Sequence, residues 1–141
     1  MANDGLQPQF PSGEVIKLMD SQHLIFVYGT LRQSHGNHQM LKDARYYGVG
    51  STRDNYSMYI AGGYPYVISS EARYPIVGEL YAVDGETLEK LDKMEGHPHY
   101  YTRREVSVIV DNQEYSAWMY VRDPHGTLMP TGDYSDAVYR R

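Results

Sequence analysis

Two extended segments joined by a short turn constrain the fold of this chain more than any other feature. The segment Tyr101–Val110 has valine at every second position towards its end. These valines are Val106, Val108 and Val110. Alternation of this kind places them on one face of a β-strand. Asp111 and Asn112 then turn the chain, and Glu114–Val121 returns as a second strand, so the pattern predicts a β-hairpin.

Shorter strand-like segments fill much of the remaining chain. They are rich in Tyr, Val, Ile and other apolar residues and are bounded by Gly, Asn, Asp or Pro, a composition that favours strands. The segments are Leu24–Tyr28, Tyr46–Thr52, Tyr56–Ala61, Tyr64–Ser69 and Ile76–Val83. Within the last of them, Gly78 indicates either a bulge or the close approach of another backbone.

Two segments carry helix signals. Asn37 can cap a short helix that runs to about Ala44. Asp84 can cap a second helix across Gly85–Glu95, which Gly96 would end in a left-handed conformation. The predicted order is therefore β-α-β-β-β-β-α-β-β. This order indicates the α+β class, as a mixed sheet or a small barrel with helices packed outside.

Length and composition indicate a single small domain. The chain has 141 residues, which suits one domain with its own core. Residues 1–21 lack periodicity and are predicted to be a flexible tail, with the domain spanning 22–141. The segment from Asp123 onwards is rich in turn residues, so we expect it to wrap the surface.

Charge and cysteine content exclude several classes of function. The formal net charge of −5 argues against nucleic acid and anionic lipid as partners and leaves a small ligand as the expected one. The chain has no cysteine, which excludes disulfides and thiolate catalysis and suits a reducing cytoplasm. No segment has the features of a secretory signal or a membrane span, so we expect a soluble cytoplasmic protein.

The second predicted helix carries the most informative chemistry. Leu88, Leu91, Asp92 and Glu95 share one face by their spacing, so two carboxylates lie on the apolar side. Glu95 lies in the last turn, where the helix dipole disfavours an anion. Desolvation, Asp92 and the dipole would all raise its pKa, as a general acid or base near neutral pH requires. The alternative is a partly exposed glutamate at a frayed helix end, and Asp92 is more simply a group that orients a neighbour.

The end of the first strand is a candidate anion site. Gly29 and Thr30 follow the apolar run, and a glycine there lets a ligand approach the backbone N–H groups closely. A plain tight turn is the alternative. The phosphate-binding motifs G-x-x-x-x-G-K-S/T and G-x-G-x-x-G are absent from the sequence, so nucleotide binding is not indicated.

Six short motifs, in this order and spacing, resemble a known family. They are Tyr28-Gly29-Thr30-Leu31-Arg32, Gly36-Asn37, Gly78-Glu79-Leu80-Tyr81, Leu91-Asp92-Lys93-Met94-Glu95, Ala117-Trp118-Met119-Tyr120-Val121 and Gly132-Asp133-Tyr134. Together they span roughly His23 to Tyr134 and resemble the gamma-glutamylcyclotransferase-like family, in its avirulence-induced-gene-like, small bacterial type.

The resemblance implies a fold, a reaction and a set of site residues. It implies a small mixed β-barrel flanked by helices, and cyclisation of a γ-glutamyl group to 5-oxoproline with release of an amine. It implies no cofactor and no metal. The catalytic glutamate of the family matches Glu95, the segment that binds the glutamyl moiety matches Tyr28, Gly29, Thr30 and Leu31, and the tyrosines of the pocket match Tyr101 and Tyr120.

Other roles stay open at this stage. Arg32 is either a ligand for the α-carboxylate of the substrate or a surface residue. A non-catalytic module that binds γ-glutamyl or similar acidic metabolites is an alternative function. A metal-dependent hydrolase is another, because histidines stand at His35, His38, His97 and His99. The histidines have no acidic ligand at recognisable spacing, so surface or hydrogen-bonding roles suit them better.

Overall fold

The computed structural model describes residues 15–16, 22–29, 31–32, 38–122 and 126–139. Its strands are β1 (Val15–Ile16), β2 (Gln22–Val27), β3 (Arg45–Thr52), β4 (Ser57–Ala61), β5 (Tyr64–Ile68), β6 (Val77–Asp84), β7 (Thr102–Val110), β8 (Gln113–Val121) and β9 (Thr127–Leu128). Its α-helices are α1 (Gly85–Glu95) and α2 (Tyr134–Tyr139), and a 3₁₀ helix spans His38–Leu41. In this part of the chain no helix is long and apolar enough to cross a membrane.

Five of the strands close into a barrel. They lie in the order β2-β6-β3-β7-β8, and β8 pairs back with β2 in parallel, with Trp118 opposite Ile25. Strands β5, β4 and β9 extend the sheet outwards from β8. Parallel and antiparallel pairs both occur, so the prediction of a small mixed barrel flanked by helices is confirmed.

The predicted hairpin is confirmed as the pair β7 and β8. Antiparallel pairing runs without interruption from Thr102 opposite Val121 to Val110 opposite Gln113. Asp111 and Asn112 have φ angles of 50° and 65°, which is the left-handed conformation that a two-residue hairpin turn requires. The three alternating valines are buried, as the period of two predicts.

Strand β2 is buried on both faces, which explains its unbroken apolar run. Leu24 and Phe26 point into the barrel, whereas Ile25 and Val27 belong to a second core that packs under α1. Gly78 on β6 lies where a Cβ atom would come within 2.4 Å of the Val27 carbonyl oxygen. Of the two alternatives for Gly78, close approach of another backbone is therefore the one observed.

Helix α1 begins and ends where its capping residues predict. The Asp84 carboxylate accepts a hydrogen bond from the Thr87 N–H at 2.8 Å, and Gly96 has φ 71° and ψ 31°. Leu88 and Leu91 are buried against the second core. The cap and the apolar face together fix the helix, and so the position of its last residue, Glu95.

The first predicted helix is wrong in length and type. In place of a helix to about Ala44, the structure has a 3₁₀ helix from His38 to Leu41, and Asn37 lies outside the described residues. Leu41 is buried, and turn hydrogen bonds follow from Lys42 to Gln39 and from Ala44 to Leu41. Strand β3 begins at Arg45, which pairs with β6, and the residues between the 3₁₀ helix and this strand form turns in place of a further helical turn.

The terminal segments contribute more than the sequence predicts. Of the predicted tail the structure describes Val15–Ile16, which pair in parallel with Glu114 and Tyr115 of β8. The segment after Asp123 does not merely wrap the surface. Strand β9 pairs with β4, and Met129 and Tyr134 are buried in the barrel core. Turn residues mark where this segment bends, but they do not show that its apolar side chains have a core to enter.

Candidate active site

A cavity of about 420 Å³ lies where β2 and β8 end. Because these two strands are parallel, their carboxyl ends meet at the same edge of the barrel. The cavity is lined by Phe26, Val27, Tyr28, Gly29, Leu31, Ala61, Tyr64, Pro65, Tyr66, Met94, Glu95, Tyr101, Tyr120 and Arg122. It therefore brings together every described residue that was predicted for the site, whereas Thr30 lies outside the described residues.

Glu95 contributes a carboxylate to the cavity wall from the last turn of α1. Burial raises its pKa from 4.5 to about 7. The sequence predicted this direction and counted burial among its causes, but it also counted Asp92 and the helix dipole, which are not causes of the shift. Asp92 is held by Arg103 and Tyr120 instead, and burial accounts for the raised pKa of Glu95.

The segment after β2 is a tight turn that also lines the cavity. The Arg32 N–H donates to the Gly29 carbonyl oxygen at 3.0 Å, which closes a four-residue turn. A Cβ atom on Gly29 would come within 2.8 Å of Pro65 Cγ, so the glycine lets the turn pack against β5. Of the two alternatives, the turn is observed, and the approach of a ligand to its amides stays a prediction.

Three tyrosine hydroxyls of the cavity wall donate to fixed acceptors of the protein. The Tyr28 hydroxyl donates to the Tyr120 carbonyl oxygen at 2.7 Å and accepts from the Val67 N–H at 3.1 Å. The Tyr101 hydroxyl donates to the Pro65 carbonyl oxygen at 3.2 Å. The Tyr120 hydroxyl donates to the Asp92 carboxylate at 2.7 Å. The directions are unambiguous, because carbonyl and ionised carboxylate oxygens can only accept.

The same tyrosines line the cavity with Glu95 and lie near enough for its charge to act on their hydroxyls. Burial raises the pKa of Tyr28 and Tyr120 and raises that of Tyr101 to about 12. In each case the negative charge of Glu95 is a further cause of the rise. All three hydroxyls therefore stay protonated at neutral pH, and Glu95 is the group of this set that can exchange a proton there.

Asp92 lies behind the cavity and is paired. It accepts from the Arg103 Nε at 2.8 Å as well as from Tyr120, and the Arg103 guanidinium stacks on Trp118 at 4.5 Å. Burial acts to raise the pKa of Asp92, but the hydrogen bonds from Arg103 and Tyr120 outweigh it and lower the pKa. Asp92 thus orients neighbouring side chains, the simpler of the two roles considered.

Arg32 is buried and paired away from the cavity. Its guanidinium donates to Asp133 at 2.9 Å and lies 4.0 Å from the Glu79 carboxylate. Glu79 also accepts from the Tyr81 hydroxyl at 2.9 Å. Arg32 is therefore neither a surface residue nor one of the cavity-lining residues. It ties the turn after β2 to the segment before α2.

Sequence reasoning missed Arg122, which provides a cation to the cavity. Its guanidinium lies over the rings of Tyr66, Tyr101 and Tyr100 at 5.3, 5.5 and 5.7 Å. The residue directly follows β8, at the same edge as the turn after β2. Knowledge that β2 and β8 pair in parallel would have predicted the position of Arg122, but the sequence pattern did not indicate that pairing.

The histidines do not assemble into a metal site among the described residues. No group of three or more His, Asp or Glu side chains could hold a metal ion in that part of the chain. His38 donates through Nδ1 to the Leu31 carbonyl oxygen at 3.0 Å, and His97 Nδ1 accepts from the Arg103 N–H at 3.2 Å. Both histidines hold backbone segments near the cavity, and His35 lies outside the described residues.

Comparisons with known proteins agree on one family. The family model for gamma-glutamyl cyclotransferase, AIG2-like, matches residues 25–136. A Methanocaldococcus jannaschii protein provisionally named as a gamma-glutamylcyclotransferase is 44% identical over 115 residues, 79% of this chain and 95% of that protein. YtfP of Escherichia coli K12, named as a gamma-glutamylcyclotransferase family protein, is 36% identical over 115 residues, 79% of this chain and 96% of that protein.

A solved structure supports the same grouping. The crystal structure of an AIG2-like protein from mouse superposes with a TM-score of 0.67 at 28% identity, covering 76% of this chain and 81% of that one. The family match extends from within β2 to α2 and includes every described residue of the cavity wall. The chain therefore belongs to the gamma-glutamylcyclotransferase family, in its AIG2-like group, and is an enzyme of that family.

Proposed function

We propose that the protein converts a γ-glutamyl amine or peptide to 5-oxoproline and a free amine, with Glu95 as general acid and base. The observation that carries the proposal is a carboxylate of pKa about 7 in a cavity that also contains the turn after β2. Membership of the family supports the reaction type. The absence of cysteine suits a reducing compartment, so we also propose that the reaction takes place in the cytoplasm.

The reaction needs proton transfer but no nucleophile from the protein. The α-amine of the substrate attacks its own γ-carbonyl carbon, and the bond from that carbon to the departing nitrogen breaks. The α-ammonium loses two protons in the process, and the departing nitrogen gains two. Glu95 can pass both in turn, first as base and then as acid, because its pKa lies near neutral pH.

The turn after β2 is the proposed site for the glutamyl moiety. Backbone N–H groups of Gly29 and Leu31 would stabilise the negative charge on the γ-carbonyl oxygen in the tetrahedral intermediate. Tyr28, Tyr101 and Tyr120 would enclose the chain of the substrate in the conformation that favours attack. A role for Thr30 in this turn rests on the family resemblance alone. The cavity volume suits a ligand of this size.

A screen of γ-glutamyl amines, peptides and amino acids for 5-oxoproline production tests the proposal. Release of 5-oxoproline from at least one compound is the expected result. Tight binding of glutamyl compounds without any 5-oxoproline would contradict it and select the non-catalytic binding module. Full activity after exhaustive chelation would dismiss the metal-dependent hydrolase.

The pH dependence of kcat/KM follows from the raised pKa of Glu95. Below about pH 7 the carboxylate is protonated and cannot accept a proton from the substrate. We therefore expect kcat/KM to fall about tenfold for each pH unit below that midpoint, because the activity requires one ionised group. An acidic limb centred instead at the ordinary glutamate value of about 4.3 would contradict the assignment. The measurement is a pH–rate profile with a coupled assay for 5-oxoproline.

Replacement of Arg122 with Gln is expected to raise KM for an anionic γ-glutamyl substrate. Among the described side chains that line the cavity, Arg122 carries the positive charge, so a substrate carboxylate would lose a charged hydrogen bond. Loss of such a bond corresponds to roughly 10-fold to 100-fold in binding. The matched control is Arg104→Gln, which removes an exposed cation from β7. Equal KM values for the two variants would exclude Arg122 from substrate binding.

A further inference from the structure

The tyrosine hydroxyls of the cavity wall donate their protons to acceptors other than the Glu95 carboxylate. The hydroxyl protons of Tyr28, Tyr101 and Tyr120 are committed to the Tyr120 carbonyl, the Pro65 carbonyl and the Asp92 carboxylate. None of the three is directed at Glu95. Consistent with this, burial raises the pKa of Glu95, and no hydrogen bond from the part of the chain that the structure describes opposes that rise.

Of these three acceptors, Asp92 is the one that accepts through its side chain, so a substitution can remove it. The Tyr28 and Tyr101 hydroxyls donate to backbone carbonyls, which cannot be removed by substitution. The Tyr120 hydroxyl donates to a carboxylate that Arg103 holds in place from the outer side, at 2.8 Å. Arg103 in turn is fixed by stacking on Trp118. The direction of the Tyr120 proton is therefore set by a chain of side chains that lies outside the cavity.

We propose that Asp92 is a positioning residue that holds the Tyr120 hydroxyl proton away from Glu95, so that the Tyr120 oxygen is an acceptor for an ammonium group of the ligand. With its proton on Asp92, the Tyr120 oxygen has lone pairs left and no proton to give. A protonated amine has three N–H donors, which suit the Glu95 carboxylate and the tyrosine oxygens. The ammonium part of the inference rests on the proposed function, in which the ligand carries an α-amine.

The charged and titratable groups around Glu95 show which side chain would respond to a change at Asp92. The titratable and charged side chains that line the cavity with it are Tyr28 just after β2, Tyr64 and Tyr66 from β5, Tyr101 after α1, Tyr120 from β8 and Arg122 just after β8. On its own helix the neighbour is Asp92, with His97 just beyond the helix end. Tyr120 and Glu95 line the same cavity, and the charge of Glu95 acts on the Tyr120 hydroxyl. If Asp92 no longer accepts the proton, we therefore expect the Tyr120 hydroxyl to turn to Glu95, and such a bond stabilises the ionised form.

The test separates two properties of the Asp92 side chain, its ability to accept a hydrogen bond and its negative charge. Asp92→Ala removes both, whereas Asp92→Asn removes the charge and keeps an oxygen that accepts. The Glu95 carboxyl is titrated by NMR of protein with ¹³C-labelled glutamate and assigned by comparison with Glu95→Gln. We expect Asp92→Ala to lower the proton affinity of Glu95 about tenfold more than Asp92→Asn, the effect of one donated hydrogen bond. Tyr120→Phe should abolish that difference.

Two results of this titration would overturn the proposal. Equal effects of the two Asp92 substitutions would mean that charge alone matters. A difference that survives Tyr120→Phe would mean that another group donates. The titration needs no turnover, so it still tests Asp92 if the wild-type protein releases no 5-oxoproline and the proposed function fails.

A binding measurement tests the ammonium acceptor and does not need any Asp92 variant to fold. The probes are L-glutamine, which is a γ-glutamyl amide with an α-ammonium, and glutaramic acid, which lacks only that group. We expect the preference of the wild-type protein for L-glutamine to fall about tenfold in Tyr120→Phe, which keeps the ring, because a charged hydrogen bond is lost. An unchanged preference, or no preference in the wild-type protein, would overturn the role of Tyr120.

Discussion

Replacement of Glu95 with Gln is expected to lower kcat for 5-oxoproline formation by about 100-fold to 10,000-fold, the usual contribution of a general acid or base. Gln has the size of Glu but can neither accept nor return a proton. KM should change much less, because the turn after β2 and the tyrosines stay in place. The measurement is a steady-state assay with a substrate from the screen described above.

The same substitution should not unfold the protein. The folded state raises the pKa of Glu95, so it binds a proton more tightly than the unfolded chain does. This group therefore lowers the free energy of unfolding as pH rises from about 4.5 to about 7. At pH 8 the Gln variant should be at least as stable as the wild type in urea unfolding. A variant that is inactive because it is unfolded would fail this control and leave the catalytic role of Glu95 unsupported.

The second large effect concerns the buried charges beneath the turn after β2. Glu79→Ala should lower the free energy of unfolding by about 3 kcal/mol, because it removes one partner of a buried charge pair and the acceptor of the Tyr81 hydroxyl. Asp133 would remain as a partner of Arg32. Chemical unfolding monitored by far-UV circular dichroism measures the change.

Two variants show whether this loss belongs to the buried pair. Glu89→Ala removes a carboxylate from the exposed face of α1 and should change stability by less than about 0.5 kcal/mol. Glu79→Gln keeps an acceptor for Tyr81 but removes the charge, so its effect should fall between the other two. If Glu79→Ala were no more destabilising than Glu89→Ala, the pair formed by Arg32 and Glu79 would have no part in holding the turn after β2.

Local patterns were sufficient to predict α1, the hairpin and the side of the helix on which Glu95 lies. Each depends on neighbours a few residues apart. The cap at Asp84 and the left-handed Gly96 are local, and so is the period of two in β7. The raised pKa of Glu95 was also predicted in direction, because the apolar face of α1 had to be buried. The wrong cause was Asp92, since its pairing with Arg103 could not be seen from the spacing.

Local patterns were not sufficient to predict the 3₁₀ helix or the segment after Asp123. A cap and two apolar residues favoured a longer helix near Ala44, but pairing of Arg45 with β6 overrode that preference. Turn residues after Asp123 hid the fact that Met129 and Tyr134 enter the barrel core. In both places the outcome depended on a strand or a core that lies far away in the sequence.

The sequence by itself determined the β7–β8 hairpin, α1, the family and the cavity residues that the family motifs contain. Only the tertiary structure decided that Arg122 joins the cavity, that Arg32 is buried, and that Asp92 directs the Tyr120 proton. The Arg32–Asp133 and Tyr28–Tyr120 contacts join residues 101 and 92 positions apart. The parallel pairing of β2 and β8 creates the Tyr28–Tyr120 contact, and the path of the chain after β9 creates the Arg32–Asp133 contact. No local preference encodes which distant segments will meet.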